Sequence, residues 1–277
     1  MFEDLRGHGH GHHAAQYGLH SRLPERPSSV KRPALAGVLG AIGSWMRVEW
    51  NFRGLLRKSF AVAVGLIVLF LALVTIYAYV PPVSTVMVWR WITGDRVIRH
   101  WRPLELISPN LVHAVIVSED SRICLHRGVD WTEVRKVVAE ADDLGSARGA
   151  STIAMQTARN LFLWQGRSYV RKAIEVPIAH YLSLAWPQRR LVEVYLNIVQ
   201  WGPDGEFGAE AAARRAFRKS ARRLGVYEAA LLASALPNPL VRNPGRPGPV
   251  LQRVTARNLA AMSLDGGYST ECLDIGE

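Results

Sequence analysis

The chain has 277 residues, 49% hydrophobic and 21% charged, a composition that argues against a largely disordered protein. Its 34 basic and 23 acidic residues give a net charge of +11, and most of the basic residues are Arg, which favours planar recognition of phosphate or carboxylate. The two cysteines, Cys124 and Cys272, are too few for a disulfide scaffold. One bridge between them is possible but not implied, and no CxxC metal-binding spacing is present.

The N-terminal region has the composition of a tail. Residues 1–59 are rich in basic residues, with Pro, Gly and Ser scattered throughout, and we predict a largely disordered cytoplasmic segment. A His-rich tract lies within it, made of His8, His10, His12, His13 and His20. Such tracts bind metal adventitiously, and tail composition is a better explanation than a dedicated site.

An uncharged run, FAVAVGLIVLFLALVTIYAYV, occupies residues 60–80. About 20 apolar residues span the hydrocarbon core of a bilayer, so the run predicts a transmembrane helix. It begins too far into the chain, and lacks the cleavage pattern, for a signal peptide. Arg53, Arg57 and Lys58 precede the run closely, whereas Arg90 is the first basic residue after it. The positive-inside rule therefore predicts a single-pass membrane protein with a cytoplasmic N-terminus and residues 81–277 on the other side of the membrane.

Beyond the span we predict a juxtamembrane segment (81–100), a main domain (101–250) and a C-terminal segment (251–277). Helical periodicity dominates and strand alternation is weak, so the fold class is mainly α. An Asp cap at 130 and a Ser/Thr cap at 151–152 mark two helix starts. The predicted helices are 109–118, 130–142, 151–163, 168–186 with an interruption at Pro177, 188–200, 206–218 and 226–236. Loops are predicted at 144–150, 201–206 and 237–249.

One stretch of the main domain, residues 144–174, contains no acidic residue. Its basic side chains, which alternate with apolar residues and hydroxyls, are Arg148, Arg159, Arg167, Arg171 and Lys172. A solvated helix face is one explanation of this pattern. The other is a pocket that grips a multiply charged anion, such as a diphosphate, through Arg forks. No GxxxxGK[ST] or GxGxxG loop is present, and the predicted orientation excludes nucleic acid as a partner.

Carboxylates flank this basic stretch. Glu119 ends an apolar run and is followed by Asp120. Apolar surroundings and a neighbouring negative charge both tend to raise the pKa of a carboxyl group, towards the range of a general base. Glu175 follows Arg171 by four residues and Lys172 by three, so the three side chains can share a helix face. From the pattern alone, a routine intrahelical ion pair is the better explanation of Glu175.

Five sequence blocks lie in order between about Trp101 and Pro244. They read AVIVSEDSRICLHRGVDW, RGASTIAMQTARNLFLW, GRSYVRKAIE, RRLVEVYLNIVQWG and AARRAFRKSARRLGVYEAALLASALPNP. Together, behind an N-terminal anchor, they closely resemble glycosyltransferase family 51, the peptidoglycan glycosyltransferases. Three positions depart from the family pattern: Ile123 replaces a Phe, Ala150 a Gly and Met155 a Gln. Ile123 loses an aromatic wall and Met155 loses two hydrogen-bonding functions near the expected substrate groove, which leaves room for a weakened enzyme.

The resemblance implies an α-rich, lysozyme-like glycosyltransferase domain with a small membrane-proximal lobe. It also implies polymerisation of lipid II into linear glycan strands. Glu119 would act as general base on the acceptor hydroxyl, with inversion at the donor anomeric carbon and release of undecaprenyl diphosphate. The substrate and product partners would be lipid II and the growing glycan strand, together with the membrane and other cell-wall synthesis or division proteins. No transpeptidase domain follows, so cross-linking is not expected.

The resemblance also implies roles for individual residues. Glu175 is the second catalytic glutamate, which assists the departing diphosphate through a bound divalent cation such as magnesium or by orienting basic residues; no metal cage and no certain cofactor are readable. The implied substrate-binding set is Asp120, Arg122, His126, Ser151, Thr152, Gln156, Arg159, Asn160, Arg167, Arg171 and Lys172. Within it, Arg159 and Arg167 would contact the diphosphate and Asp120 would orient its surroundings. Ser151, Thr152 and Gln156 would line the sugar groove.

Two other functions remain open at this point. A lysozyme-like lytic enzyme would also use a glutamate on an α-rich fold, but it would have no need of a basic stretch for a diphosphate. An inactive membrane-anchored scaffold that binds cell-wall precursors would fit the substitutions at Ile123 and Met155. The products discriminate between the three: longer glycan from lipid II, shortened glycan from finished peptidoglycan, or binding without turnover.

Overall fold

A computed structural model describes residues 52–140, 150–166 and 168–274. The side chains of Phe52, Arg53, Val138 and Glu140 are not included in that description. Residues 1–51 of the predicted tail, with the His-rich tract, the 144–149 part of a predicted loop, and Arg148 and Arg167 of the basic stretch therefore lie outside the described residues. Residues 52–59 of the predicted tail are described and are helical. The chain divides into two units, Met1–Phe60 and Ala61–Glu277, and the first contributes only the start of one helix to the description.

The first helix, α1 (Phe52–Tyr77), contains one candidate membrane span, Gly54–Tyr77. The prediction of a single long apolar helix is confirmed, although the helix begins earlier than residue 60 and ends before residue 80. Most of its side chains are exposed, as expected for a surface that faces lipid, but Val74 is fully buried.

The last turns of α1 are embedded in the globular domain. The Trp186 indole donates to the Val74 carbonyl over 2.9 Å, and this bond is buried. Phe70 packs edge-on against Phe162, with ring centroids 5.1 Å apart. The end of the apolar helix therefore contacts the domain directly. If α1 crosses a membrane, the membrane surface would lie next to this part of the domain.

Nine further α-helices follow in the described part of the chain. They are α2 (Thr85–Ile92), α3 (Pro109–Glu119), α4 (Trp131–Glu140), α5 (Ile153–Phe162), α6 (Tyr169–Ala185), α7 (Gln188–Ile198), α8 (Ala209–Phe217), α9 (Val226–Ala235) and α10 (Pro249–Asp265). Single turns of 3₁₀ helix lie at Leu104–Leu106, Ile123–Leu125 and Ala221–Arg223, and a longer one at Tyr268–Leu273. Two short strands, β1 (Ile98–Arg99) and β2 (Glu206–Phe207), pair in parallel with Ile98 opposite Glu206. The mainly α fold class is confirmed.

Each predicted helix is present, with two corrections. The interruption at Pro177 is wrong, because α6 continues through it. Proline removes a single backbone hydrogen bond there, and packing of α6 against α5 holds the helix. The helix predicted from 206 begins at Ala209, because Glu206 and Phe207 form β2. Helices α2 and α10 were not predicted. The predicted domain boundary at residue 250 lies at the second residue of α10 and stays a prediction, as do the other boundaries.

Two packed groups of helices position the site. In the first, α3 packs against α9 and α10, and in the second, α5 packs against α6 and α7. Fully buried apolar side chains, such as Val112 and Val115 on α3 and Leu196 on α7, fill the core between these elements. Helix α3 ends at the half-buried Glu119, and α5 carries Arg159. The core therefore fixes the relative positions of these two residues.

A disulfide joins Cys124, in the 3₁₀ turn after α3, to Cys272 near the C-terminus. The same C-terminal turn is held by Asp265, which accepts hydrogen bonds from the Ser269 amide and hydroxyl. Asp265 also lies 2.9 Å from the His113 ring on α3. The C-terminal segment is thus attached covalently to the turn that follows α3, through Cys124, and by a hydrogen bond to α3 itself, through His113.

Loss of this bridge should destabilise the fold. We expect the Cys124→Ala/Cys272→Ala double variant to lose about 2–4 kcal/mol of unfolding free energy, because the cross-link closes a long loop in the unfolded chain. Chemical denaturation of the two proteins, each with and without a reductant, measures the difference. Reductant should lower the midpoint of the parent protein and leave that of the double variant unchanged. An unaltered parental midpoint after reduction would contradict a stabilising bridge.

Candidate active site

Glu119 lies at the C-terminal end of α3, where a chain of side chains holds its carboxylate. The Gln156 amide nitrogen donates to Glu119 Oε2 over 2.9 Å, and the Tyr195 hydroxyl donates to Gln156 Oε1 over 3.0 Å. Tyr195 is fully buried on α7. Both ends of the Gln156 amide are therefore hydrogen-bonded inside the protein, and Gln156 positions Glu119.

The surroundings of Glu119 alter its affinity for a proton. Burial raises the pKa of the Glu119 carboxyl, and it outweighs the Gln156 hydrogen bond and the charge of Arg159, which lower it. The neighbouring Asp120 raises this pKa further, and Arg242 lowers it. Glu119 and Arg159 therefore lie within electrostatic reach of each other, as the anion-pocket hypothesis requires.

Arg242 is a member of this site that sequence reasoning missed. It lies in the loop after α9, where its Nη1 donates to the Ser234 carbonyl over 2.7 Å. The fifth sequence block ends at Pro239, just before it, so the resemblance gave no reason to include it. The proximity of Arg242 to Glu119 depends on the packing of α9 against α3, which spacing along the chain does not reveal.

Asp120 connects three parts of the site. Its Oδ1 lies 2.7 Å from His126 Nε2, and its Oδ2 accepts from the Ile153 amide at the start of α5 over 2.9 Å. With both oxygens engaged, Asp120 orients its neighbours, and His126 is held in the turn after α3. Thr152 caps the same helix by accepting from the Met155 amide, and it donates to the Gly128 carbonyl.

A small cavity of about 130 Å³ opens beside Glu119. Its lining also includes four members of the predicted substrate-binding set: Asp120, Arg122, Ser151 and Thr152. The Arg122 side chain is ion-paired, since its Nε lies 2.8 Å from Asp130 Oδ2. The other Asp130 oxygen caps α4. Arg122 therefore contributes a tethered cation to the cavity wall.

Glu175 holds basic residues on its own helix. It is almost fully buried, at 1% exposure, and pairs with Arg171 and with Lys172 Nζ, the latter at 3.2 Å. Lys172 in turn donates to Ser151 Oγ, and Arg171 donates to the Gly166 carbonyl over 2.6 Å. Of the two roles implied for Glu175, this geometry fits the orientation of basic residues.

Arg159 differs from these tethered cations. Within the described ranges its side chain has no ion pair, and its buried Nε has no hydrogen-bond partner. Burial, followed by the charges of Arg159 and Arg171, lowers the pKa of Lys172 to about 8. Burial and the Arg159 charge also lower the pKa of Arg171. Three cations therefore repel one another around a position where an anion would relieve the repulsion.

Three other positions singled out in the sequence, Asn160, Met155 and Ile123, are buried in the structure. Asn160 is buried, and its Nδ2 has no hydrogen-bond partner in the part of the chain that the structure describes. The Met155 side chain is buried in the core, while the next residue, Gln156, turns towards Glu119. Ile123 is equally buried. Both substitutions therefore alter core packing.

The donor set does not fit a divalent metal. No group of three His, Cys, Asp or Glu side chains in residues 52–140, 150–166 and 168–274 is placed to hold one. The Glu175 carboxylate is already neutralised by two cations. Metals of the magnesium type need several oxygen ligands, so no step is assigned to a metal here.

Comparison with known proteins agrees with this geometry. A family model described as "Transglycosylase" matches residues 87–263, which is more than half of the chain. The chain is 48% identical over 209 residues to a "Biosynthetic peptidoglycan transglycosylase" of Rhodopseudomonas palustris strain HaA2, covering 75% of this chain and 92% of the relative. A relative of the same name from Agrobacterium fabrum is 44% identical, covering 81% and 100% respectively. One from Rhizobium meliloti is 43% identical, covering 83% and 98%.

Proposed function

Because the chain belongs to the transglycosylase family and is a peptidoglycan glycosyltransferase, we propose that it polymerises lipid II with Glu119 as the general base. Its substrates are lipid II and the glycan strand, and its α-rich catalytic domain is lysozyme-like and follows one apolar helix. The observation that carries the proposal is the pairing of a half-buried, positioned carboxylate with an arginine that has no anionic partner among the described residues.

In the proposed reaction, Glu119 takes the proton of the 4-hydroxyl on the acceptor GlcNAc as that oxygen attacks the donor anomeric carbon. The new glycosidic C–O bond forms as the bond to undecaprenyl diphosphate breaks, and the anomeric configuration inverts. A sugar hydroxyl is a poor nucleophile at neutral pH, so removal of its proton is essential. The raised pKa of Glu119 and the hydrogen bond from Gln156 suit this role.

The leaving group carries away the electron pair of the broken bond as charge on its diphosphate. Cations that are already in place stabilise such charge without reorganisation during the reaction. Arg159 supplies a guanidinium that has no ion pair in the part of the chain that the structure describes, and its charge acts on Lys172 and Arg171. Glu175 acts as a positioning residue, because it fixes these two cations through ion pairs.

We further propose that the N-terminus is cytoplasmic and the catalytic domain faces the periplasm of a cell with an inner membrane. The basic residues at the start of α1, Arg53, Arg57 and Lys58, support this orientation. The Cys124–Cys272 disulfide supports it independently, because disulfides persist in oxidising compartments such as the periplasm and are rare in the cytosol.

The test is incubation of the purified full chain with labelled lipid II, followed by separation of the products by length. We expect glycan strands longer than the substrate disaccharide and release of undecaprenyl diphosphate. Shortened strands from finished peptidoglycan, without growth from lipid II, would instead identify a lytic enzyme. Binding of lipid II without any product would identify a precursor-binding scaffold.

The pH dependence of kcat/KM should have two limbs. Below the raised pKa of Glu119 the base is protonated, so the rate should fall as the pH falls. Because the pKa of Lys172 is lowered to about 8, its charge is lost as the pH rises through that value, and donor capture should weaken. The Lys172→Arg variant should keep its charge and move the basic limb to higher pH. A basic limb at the same pH in both proteins would remove Lys172 from donor capture.

A further inference from the structure

The Cys124–Cys272 disulfide joins the C-terminal turn to the turn that carries two residues of the site. Cys124 lies in the 3₁₀ turn between Asp120 and His126, whose side chains are 2.7 Å apart next to Glu119. We propose that this disulfide is a redox-sensitive tether, which holds the turn after α3 in its active geometry and whose reduction by a dithiol reversibly slows polymerisation. The inference rests on the proposed function, because the controlled rate is that of glycan synthesis.

The turn after α3 is attached to the rest of the domain at two places. The first is Gln188 on α7, whose side-chain amide donates to the carbonyls of Ile123 and His126 over 2.8 and 3.3 Å. The second is the disulfide of Cys124, which lies between those two residues. The position of His126, and through it that of the Asp120 carboxylate, therefore depends on both attachments.

The other end of the tether is anchored in the fold. The Arg189 guanidinium on α7 donates to the carbonyls of Leu273 and Asp274 over 3.1 and 3.0 Å. At the end of α10, Asp265 accepts a hydrogen bond from the Ser269 amide over 3.2 Å. The C-terminal turn is therefore a fixed support, and the disulfide transmits its position to the turn after α3.

A reductant can reach the disulfide from solvent, because Cys272 is exposed while Cys124 is half-buried. A thiolate of the dithiol attacks the Cys272 sulfur, and the electron pair of the broken S–S bond leaves on the Cys124 sulfur, which takes up a proton. The second thiol of the dithiol then attacks the mixed disulfide and releases Cys272 as a thiolate, which is also protonated. The dithiol is oxidised to a disulfide, and its two electrons and two protons pass to the protein.

Reduction should affect the catalytic base more than the cations. Asp120 and His126 belong to the tethered turn next to Glu119, whereas Arg159 and Arg171 lie on α5 and α6, which the disulfide does not join. We expect kcat on lipid II to fall by about 10- to 100-fold, the range of a catalytic group misplaced by up to about 1 Å. The affinity for inorganic diphosphate should stay as in the oxidised protein.

The experiment compares the full chain in detergent micelles before and after treatment with dithiothreitol, and again after reoxidation. Amide hydrogen exchange over residues 120–126, followed by mass spectrometry, reports the turn itself. The Asp120, Ile123 and Leu125 amides are hydrogen-bonded within α3 and the turn, so their exchange should be faster in the reduced protein and slow again after reoxidation. Polymerisation of lipid II and binding of inorganic diphosphate are measured on the same samples.

Two variants serve as controls. The Cys124→Ala/Cys272→Ala protein should have the lower kcat without reductant and should not respond to dithiothreitol. Leu251→Ala creates a cavity in a separate cluster of buried apolar residues, so it lowers the stability of the fold without touching the tether. It should keep the parental kcat and the parental exchange over residues 120–126. Circular dichroism at the assay temperature verifies that each protein is folded.

The outcomes separate the tether from the proposed function. If reduction leaves either kcat or the exchange over residues 120–126 unchanged, the inference is overturned. It is also overturned if Leu251→Ala loses as much kcat as the reduced protein, since the effect is then one of general stability. If the oxidised parent makes no glycan from lipid II but reduction still speeds exchange over residues 120–126, the proposed function fails and the tether remains as a control on the geometry of the site.

Discussion

Glu119→Gln should lower polymerisation of lipid II by about 100- to 10,000-fold, the usual contribution of a positioned general base. The substitution keeps the shape of the side chain and retains an oxygen to accept the hydrogen bond from Gln156. It removes only the capacity to take a proton from the acceptor hydroxyl. The loss should therefore appear in kcat, with little change in the affinity for the donor, when the rate is measured over a range of lipid II concentrations.

The matched control is Glu271→Gln, the same carboxylate-to-amide change at an exposed position in the C-terminal turn. Its rate should equal that of the parent. The melting temperature of Glu119→Gln should equal or exceed that of the parent, because the substitution removes a buried charge from α3. A Glu119→Gln enzyme with a nearly normal rate would remove Glu119 from the role of base and require another proton acceptor.

Local sequence signals predicted much of the fold. The apolar run that ends at Glu119, the Asp130 cap and the Thr152 cap each depend on neighbours within one or two helical turns, and each is present in the structure. The span was predicted from length and hydropathy alone, and α1 has the length and apolar composition of a candidate membrane span. These signals did not predict that Val74, at the end of the span, is buried against protein. Hydropathy is the same for an apolar residue that faces lipid and for one that faces protein.

The site needed contacts between distant parts of the chain. Gln156 reaches Glu119 and Tyr195 from a helix of its own, so nothing in its spacing separates a groove-lining amide from a positioning one. Met155 precedes Gln156 by one residue on α5, and this step turns its side chain from the site into the core. The sequence alone does not show which of the two side chains faces Glu119. The disulfide was only one possibility among the cysteines, because pairing depends on the fold of the C-terminal turn.

Arg159→Ala should reduce kcat/KM for lipid II by about 100- to 1,000-fold, the cost of removing one preorganised group that stabilises developing charge. Arg159 has no ion pair among the described residues, so its removal leaves no carboxylate without a partner and should not unfold the protein. It should instead relieve repulsion with Arg171 and Lys172. The melting temperature should stay equal to that of the parent or rise.

A second readout distinguishes an anion-binding Arg159 from a merely structural one. The charge of Arg159 is one of the causes that lower the pKa of Lys172 to about 8, so without it the basic limb of the pH profile should move to higher pH. Arg159→Lys should restore part of the rate, because it keeps the charge but loses the planar fork. The exposed Arg222→Ala serves as the matched control and should change neither quantity. If kcat/KM for lipid II and the basic limb of its pH profile were both unchanged in Arg159→Ala, the diphosphate would have to bind elsewhere. The pairing of Glu119 with Arg159 would then not contribute to catalysis.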